Sequence, residues 1–255
     1  MFHQLKTIAT YTLIEALRNR LMWMIGLVLL IGLGLSGFLN QLAITESRQI
    51  QIALLAAFLR FAAVFLLATF IVTSLVREFN DKGLELVLAM PLPRAGYALG
   101  KLFGFAALAA IIAVLFGGMT LFFSPWQQSL MWTLCLMGEL WIIAAFSLLC
   151  VFSFNQIMAA LAAILAFYTL TRSIAALQLI STGPLSEVES SQKVINFVIN
   201  LLAAVLPDLD QFTRSDWLVY HSGQWAMLLP LLLQTVIYLL LLGAASVFDL
   251  YRKNI

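Results

Sequence analysis

The sequence predicts an all-α integral membrane protein, and three observations lead to this fold class. The chain has 255 residues, of which 63% are hydrophobic and 10% are charged, whereas soluble domains carry roughly 25% charged residues. Six apolar stretches approach or exceed the roughly 20 residues that a spanning helix needs. These stretches are continuously apolar, which favours helices because barrel strands alternate in polarity over roughly ten residues.

The six stretches define the predicted spanning helices. They are Leu21–Leu39, Ile52–Val76, Leu102–Phe123, Leu130–Phe154, Ile157–Leu177 and Ala226–Phe248. We find no internal repeat, low-complexity tract or linker, so residues 1–255 are interpreted as a single domain. The first stretch is interpreted as an uncleaved helix rather than a signal peptide, because the preceding region is long and contains Glu15.

The positive charges predict an orientation with both termini in the cytoplasm. Nine lysines and arginines then lie on the cytoplasmic side: Lys6, Arg18, Arg20, Arg77, Lys82, Arg94, Lys101, Arg252 and Lys253. Five lie on the opposite side: Arg48, Arg60, Arg172, Lys193 and Arg214. Cytoplasmic loops carry an excess of Lys and Arg, so we expect a multi-pass protein of the bacterial inner membrane.

Residues 1–20, ahead of the first span, are predicted to form an amphipathic elbow helix. Its apolar residues fall on one face at helical spacing: Leu5, Ile8, Ala9, Leu13 and Ala16. Such a helix can lie flat on the membrane surface. A simple basic segment that fixes the topology is the alternative interpretation.

The connection between the second and third spans, residues 77–101, is the most highly charged part of the chain. Asn80 or Asp81 can cap a helix, Leu84–Met90 contains good helix formers, and Pro91 and Pro93 end the helix. A short cytoplasmic helix fixed between two membrane helices could receive force from a cytosolic motor. The alternative is an ordinary positively charged loop.

The apolar pattern of the outer segment, residues 181–224, predicts a second short helix. Val194–Leu206 is apolar but too short to span a membrane. We therefore expect a re-entrant or interfacial helix that ends at Pro207.

Two charged residues within the predicted spans form a candidate intramembrane polar pair. Glu139 lies near the middle of the fourth span, and Arg60 lies in the second. Intramembrane charges are costly and usually face a partner or a cavity. The pair could gate a pathway or contact a substrate. The alternatives are a structural ion pair or a protonated Glu139. Arg172 is interpreted as a side chain that snorkels to the interface.

The 77–101 segment resembles the coupling segment of ABC-2-type exporter permeases. The residues that carry this resemblance are Glu78, Gly83, Leu84, Glu85, Leu86, Pro91, Arg94, Tyr97, Gly100 and Lys101. The elbow region around Glu15 and the segment Leu206–Phe212 are also similar to small six-helix members of that family.

The resemblance implies the membrane-spanning subunit of an ATP-binding cassette exporter for an unidentified substrate. It implies a second permease copy or paralogue, and separate ATP-binding subunits that hold the ATP and Mg²⁺, with no cofactor in this chain. The net charge of +2 is interpreted as a result of the membrane topology and not as a sign of a nucleic-acid partner. The residues that it implies in coupling to the ATPase are Glu78, Asp81, Gly83, Leu84, Glu85, Leu88, Pro91 and Arg94.

We expect the chain itself not to be an enzyme. The nearest approach to a phosphate-binding Walker A loop, Ala95–Leu102, lacks the first glycine and the final hydroxyl residue. The two histidines, His3 and His221, are far apart in sequence, which argues against an intramembrane metal or serine protease site. A secondary transporter, or a membrane assembly subunit without an ATPase partner, is the alternative function.

Overall fold

A computed structural model describes residues 2–42, 47–80, 94–154, 156–181 and 190–252. Within these residues the α-helices are α1 (Phe2–Arg18), α2 (Leu21–Leu42), α3 (Ser47–Asn80), α4 (Arg94–Thr120), α5 (Trp126–Ser153), α6 (Ile157–Ser181), α7 (Ser190–Val205), α8 (Ser215–Tyr220) and α9 (Leu228–Arg252). Short 3₁₀ turns at Leu209–Gln211 and Trp225–Met227 precede α8 and α9.

Six of these helices are long and apolar enough to cross a membrane: α2, α3, α4, α5, α6 and α9 with its preceding turn. The prediction of an all-α, multi-pass membrane protein is therefore confirmed. All six of these helices are longer than the apolar stretches predicted for them, and α3 and α4 exceed their stretches most. Helix α3 has 34 residues, or about 51 Å at 1.5 Å per residue, and the hydrocarbon core is about 30 Å thick. The predicted stretches stopped at polar and charged residues, so both ends of α3 and the first eight residues of α4 were missed.

Helix α5 occupies the centre of the bundle and packs against α3, α4, α6 and α9. Helices α2, α6 and α9 lie at the periphery and expose many large apolar side chains. In water such exposure would be unfavourable, but lipid tails are as apolar as leucine. The arrangement is that of a bundle surrounded by lipid.

Small residues allow close packing where helices cross. A Cβ atom added to Gly138 of α5 would lie 2.9 Å from Thr235 Oγ1 of α9 and 3.3 Å from a ring carbon of Phe212. Because apolar burial gives little gain between helices in lipid, such close contacts provide much of the packing energy. Gly138 therefore permits both α9 and the outer segment to approach α5.

The first and last helices meet the same end of α4. Ile8 of α1 lies against Gly100 near the start of α4, and Arg94 Nη1 donates a hydrogen bond of 3.4 Å to the carbonyl oxygen of Leu250 in α9. Helix α1 precedes the first span and α9 is the last span, so the chain enters and leaves the bundle at the same end, as an even number of spans requires. We call this end of the bundle the base.

The outer segment forms helix α7 where the sequence predicts Val194–Leu206. Its apolar side chains Phe197, Leu201 and Val205 are exposed, and the helix packs against α6. The hydroxyl of Tyr238 donates a 3.0 Å hydrogen bond to the carbonyl oxygen of Val205, which ties the end of α7 to α9. Its assignment as a re-entrant or interfacial helix stays a prediction.

Candidate functional site

Two polar clusters stand out in the bundle, one at the base and one at mid-depth. Of the residues predicted to couple the chain to an ATPase, Glu78 and Arg94 belong to the described part of the chain. The other predicted coupling residues, and the helix predicted at Leu84–Met90, lie outside the described residues: Asp81, Gly83, Leu84, Glu85, Leu88 and Pro91.

The basal cluster is centred on an ion pair between Glu78 of α3 and Lys101 of α4. Lys101 Nζ lies 2.5 Å from Glu78 Oε2, and the two side chains are 7% and 23% exposed, respectively. The ammonium also lies 5.9 Å from the ring centre of Tyr97, within cation–π range. The pair joins the last turn of α3 to the second turn of α4, on either side of the 81–93 segment.

Helix α1 completes the basal cluster by packing onto two glycines of α4. A Cβ atom on Gly100 would lie 2.9 Å from Ile8 Cβ, and one on Gly104 would lie 2.7 Å from Thr12 Cβ. Larger residues could not be accommodated without moving α1. The predicted apolar face of residues 1–20 is the face that is buried or half-buried here.

A hydrogen bond also links α1 to α3. Ser74 Oγ donates to Glu15 Oε1 at 2.7 Å. A cleft of about 480 Å³ opens among α1, α3 and α4 and is lined by both carboxylates, Glu15 and Glu78, and by Arg77 and Lys101. The sequence analysis assigned Glu15 to the elbow region, and four further residues to the segment that resembles a coupling segment: Glu78, Tyr97, Gly100 and Lys101. The fold brings all five into this one cluster.

The central cluster is built around Glu139, which is fully buried in the middle of α5. Arg172 of α6 forms the direct ion pair, with Nη1 3.5 Å from Glu139 Oε1. Thr213, in the segment before α8, donates a 2.6 Å hydrogen bond from its hydroxyl to Glu139 Oε2. Glu139 therefore holds a helix on one side and the outer segment on the other.

The side chain of Arg60 in α3 joins the same cluster by a hydrogen bond to the backbone of Thr213. Its Nη1 donates to the carbonyl oxygen of Thr213 at 3.2 Å, and it lies within electrostatic range of Glu139, Arg172 and Tyr168. The structure thus brings the predicted pair Arg60 and Glu139 together with Thr213 between them.

Arg172 differs from its predicted role. We expected a snorkelling side chain, but it is largely buried and donates from Nη1 to the carbonyl oxygen of Leu209 at 2.8 Å. The reason is that the outer segment descends into the bundle and meets Arg172 there. Arg172 therefore binds Glu139 and the outer segment at the same time.

The depth reached by the outer segment follows from its contacts along α5. Near the N-terminal end of α5, Gln128 Nε2 donates to the carbonyl oxygen of Gly223 at 3.2 Å. Thr213 contacts Glu139, which lies eleven residues further along α5, or about 16 Å. Leu209, Phe212 and Thr213 are all buried. We call residues 207–213 the descending segment.

The sequence analysis noted Leu206–Phe212 only as a family resemblance and did not predict that the segment enters the bundle. Thr213 has a positive φ of 37°, a conformation that is uncommon for a residue other than glycine. Such strain persists only where surrounding contacts hold it, and here the contacts are those with Glu139 and Arg60. The one available signal was the pair of apolar residues Leu209 and Phe212 in an otherwise polar stretch.

The central cluster is charged unevenly and is not fully hydrogen-bonded. It contains two arginines and one carboxylate. Among the described residues, Arg60 Nε and Glu139 Oε1 are buried without a hydrogen-bond partner. Partly satisfied polar networks in a low-dielectric interior are energetically sensitive, so a small shift of one helix changes the balance of contacts.

The described residues include no group of three or more His, Cys, Asp or Glu side chains that could hold a metal ion. Cys135 and Cys150 are free thiols, both buried in α5. The polar chemistry of the described fold is therefore concentrated in the two clusters.

In comparisons with known proteins, no family model matches the chain, and no curated protein is similar to it at a significant level. Functional interpretation thus depends on the motif residues and on the geometry of the two clusters.

Proposed function

We propose that the chain is the membrane-spanning permease subunit of an ABC-2-type exporter. In this proposal the base faces the cytoplasm of a bacterium, and a separate ATP-binding subunit docks against the 81–93 segment. The permease pairs with a second copy or a paralogue in the inner membrane. The ATP and Mg²⁺ belong to the docked subunit, since this chain has no Walker A loop.

The observation that carries the proposal is the ion pair between Glu78 and Lys101. A segment that receives force must be attached firmly at both ends. The pair fixes the two helices that flank residues 81–93, and α1 packs onto the same base through Gly100 and Gly104. Force applied to the segment would therefore move α1, α3 and α4 as a unit.

Helix α3 supplies a direct mechanical connection from the base to the central cluster. Glu78 and Arg60 lie on this one helix, eighteen residues or about 27 Å apart. A displacement of α3 along its axis would act on the hydrogen bond between Arg60 and the carbonyl oxygen of Thr213. The descending segment would then shift relative to Glu139. This gives ATP-driven motion at the base a route to the opposite half of the bundle.

The experiment is a test of ATPase docking through the 81–93 segment. The affinity-tagged chain is purified in mild detergent, and co-eluting proteins are identified by mass spectrometry. We expect a protein with a Walker A motif to co-elute with the wild type. Glu85→Lys, which reverses a charge in the segment, should reduce its recovery at least tenfold.

A matched charge reversal provides the control. Asp216→Lys, at an exposed position of α8 far from the base, should leave recovery unchanged. If the wild type brings down no nucleotide-hydrolysing protein, or if Glu85→Lys retains it fully, the proposal is wrong.

One observation favours the alternative of a secondary transporter. Arg60, Glu139 and Arg172 are three ionisable residues gathered at mid-depth, and such groups line ion pathways in secondary transporters. In proteoliposomes that contain only this chain, a secondary transporter would conduct protons or ions down a gradient, and Glu139→Gln would abolish the flux. A permease that needs an ATPase shows no such flux.

A further inference from the structure

An apolar groove of about 880 Å³ lies between α4 and α9 on the surface of the bundle. Its walls include Leu99, Leu102 and Phe103 of α4 and Leu240, Val247 and Phe248 of α9. The volume falls within the roughly 300–1,000 Å³ of typical ligand sites. The neighbouring helices leave this space between them open along the surface that lipid would contact.

The length of the groove follows from its two walls. Its wall on α4 runs from Ala95 to Ala106, eleven residues or about 16 Å, and its wall on α9 runs from Val236 to Tyr251, fifteen residues or about 22 Å. Both walls are longer than half of the roughly 30 Å hydrocarbon core and shorter than the whole of it. Trp141 lines the deep end, and its indole Nε1 donates a 3.0 Å hydrogen bond to the carbonyl oxygen of Ala106. Trp141 is two residues from Glu139 in the middle of α5, so the groove ends at mid-depth.

The open end of the groove is basic. Arg94 immediately precedes Ala95, and its hydrogen bond to the carbonyl oxygen of Leu250 holds it beside the last turn of α9. Arg252 is exposed in that same turn. The acidic residue Asp249 accepts a 2.6 Å hydrogen bond from Ser153 Oγ of α5 and keeps its negative charge, so Arg94, Arg252 and Asp249 together carry a net charge of +1. Arg94 and Arg252 are thus the residues next in sequence to Ala95 and Tyr251, which line this end of the groove.

We propose that this groove binds one anionic phospholipid. An acyl chain fills the apolar walls down to Trp141, and the headgroup phosphate lies between Arg94 and Arg252, as guanidinium groups favour phosphate. A spanning helix of a second copy fits less well because it would need a groove through the full membrane thickness. The inference depends on insertion in a membrane and not on an ATPase. The leaflet is the cytoplasmic one in the orientation proposed above.

The test is native mass spectrometry of the purified full chain with phosphatidylglycerol or phosphatidylcholine. We expect the wild type to retain phosphatidylglycerol at least fivefold more than phosphatidylcholine. The double variant Arg94→Gln, Arg252→Gln should lose this preference while it still binds lipid. Ala244→Phe, at an exposed position of the groove wall, should reduce retention of both lipids at least fivefold.

The matched control is Ala166→Phe, the same change at an exposed position of α6, which should retain lipid like the wild type. A thermal unfolding curve for each variant verifies that it is folded. Equal retention of the two lipids by the wild type would overturn the proposal, as would unchanged retention by Ala244→Phe. A disulfide cross-link between copies through Ala244→Cys, formed in native membranes, would instead assign the groove to a second chain.

Discussion

The basal and central clusters both join helices through charged side chains, but they differ in composition and in what they hold. The basal pair has one cation and one anion, lies at helix ends and keeps partial access to water. The central cluster has two arginines around one buried carboxylate, and it holds a non-helical segment in place. The first arrangement is balanced and local, whereas the second depends on four different parts of the chain.

This difference indicates where the molecule is rigid and where it can change. At the base, the charges of Glu78 and Lys101 balance, and α1 packs closely onto Gly100 and Gly104. These contacts should resist a rearrangement of the base. A cluster with unsatisfied buried atoms and a strained residue such as Thr213 has contacts that a small motion can exchange. We therefore expect variants of the central cluster to affect stability more than variants of the base.

The largest effect is expected for the ion pair between Glu139 and Arg172. Arg172→Met removes the direct partner of a fully buried carboxylate, and breaking a buried pair costs about 3–5 kcal/mol. The double variant Glu139→Gln, Arg172→Met removes both charges and should be more stable than Arg172→Met alone. The measurement is the free energy of unfolding in mixed detergent micelles. If the single and double variants show simply additive losses, the two side chains are not coupled.

A smaller effect is expected for the hydroxyl of Thr213. Thr213→Val leaves one oxygen of buried Glu139 without its donor, which costs about 1–3 kcal/mol, and should increase amide hydrogen exchange in residues 207–213. The comparison variant is Thr73→Val, because the Thr73 hydroxyl donates only within its own helix, to Thr69 at 2.7 Å and to Phe70. Unchanged exchange in Thr213→Val would mean that Glu139 does not hold the descending segment.

The smallest effect on stability is expected at the base. Lys101→Met leaves Glu78 without its cation, but that carboxylate is 23% exposed and water can partly solvate it. The loss should therefore lie between the roughly 1 kcal/mol of an exposed pair and the roughly 3–5 kcal/mol of a buried one. The swap Glu78→Lys, Lys101→Glu should recover part of the lost free energy of unfolding, because it restores the ion pair but not the cation–π contact with Tyr97. A loss as large as that of Arg172→Met would contradict the distinction between the two clusters.

The spans could be predicted from the sequence because lipid imposes a simple rule on composition, and Glu139 was conspicuous as a charge within such a span. The partners of Glu139 were harder to find. Arg172 looks like an interfacial residue when helix α6 is considered alone. Its role depends on Leu209 and Thr213, which lie far along the chain and enter the bundle as non-helical backbone. Backbone at this depth requires internal hydrogen-bond partners, and Arg60 and Arg172 provide them for Thr213 and Leu209.

The excess of arginine over carboxylate at mid-depth has a consequence for permeability. Arg60 and Arg172 together outweigh Glu139, so the centre of the bundle has a positive potential. Fixed positive groups at the narrow part of a membrane protein repel protons and metal cations. In the proposed permease, this excess of positive charge would oppose the leakage of protons and metal cations through the centre of the bundle.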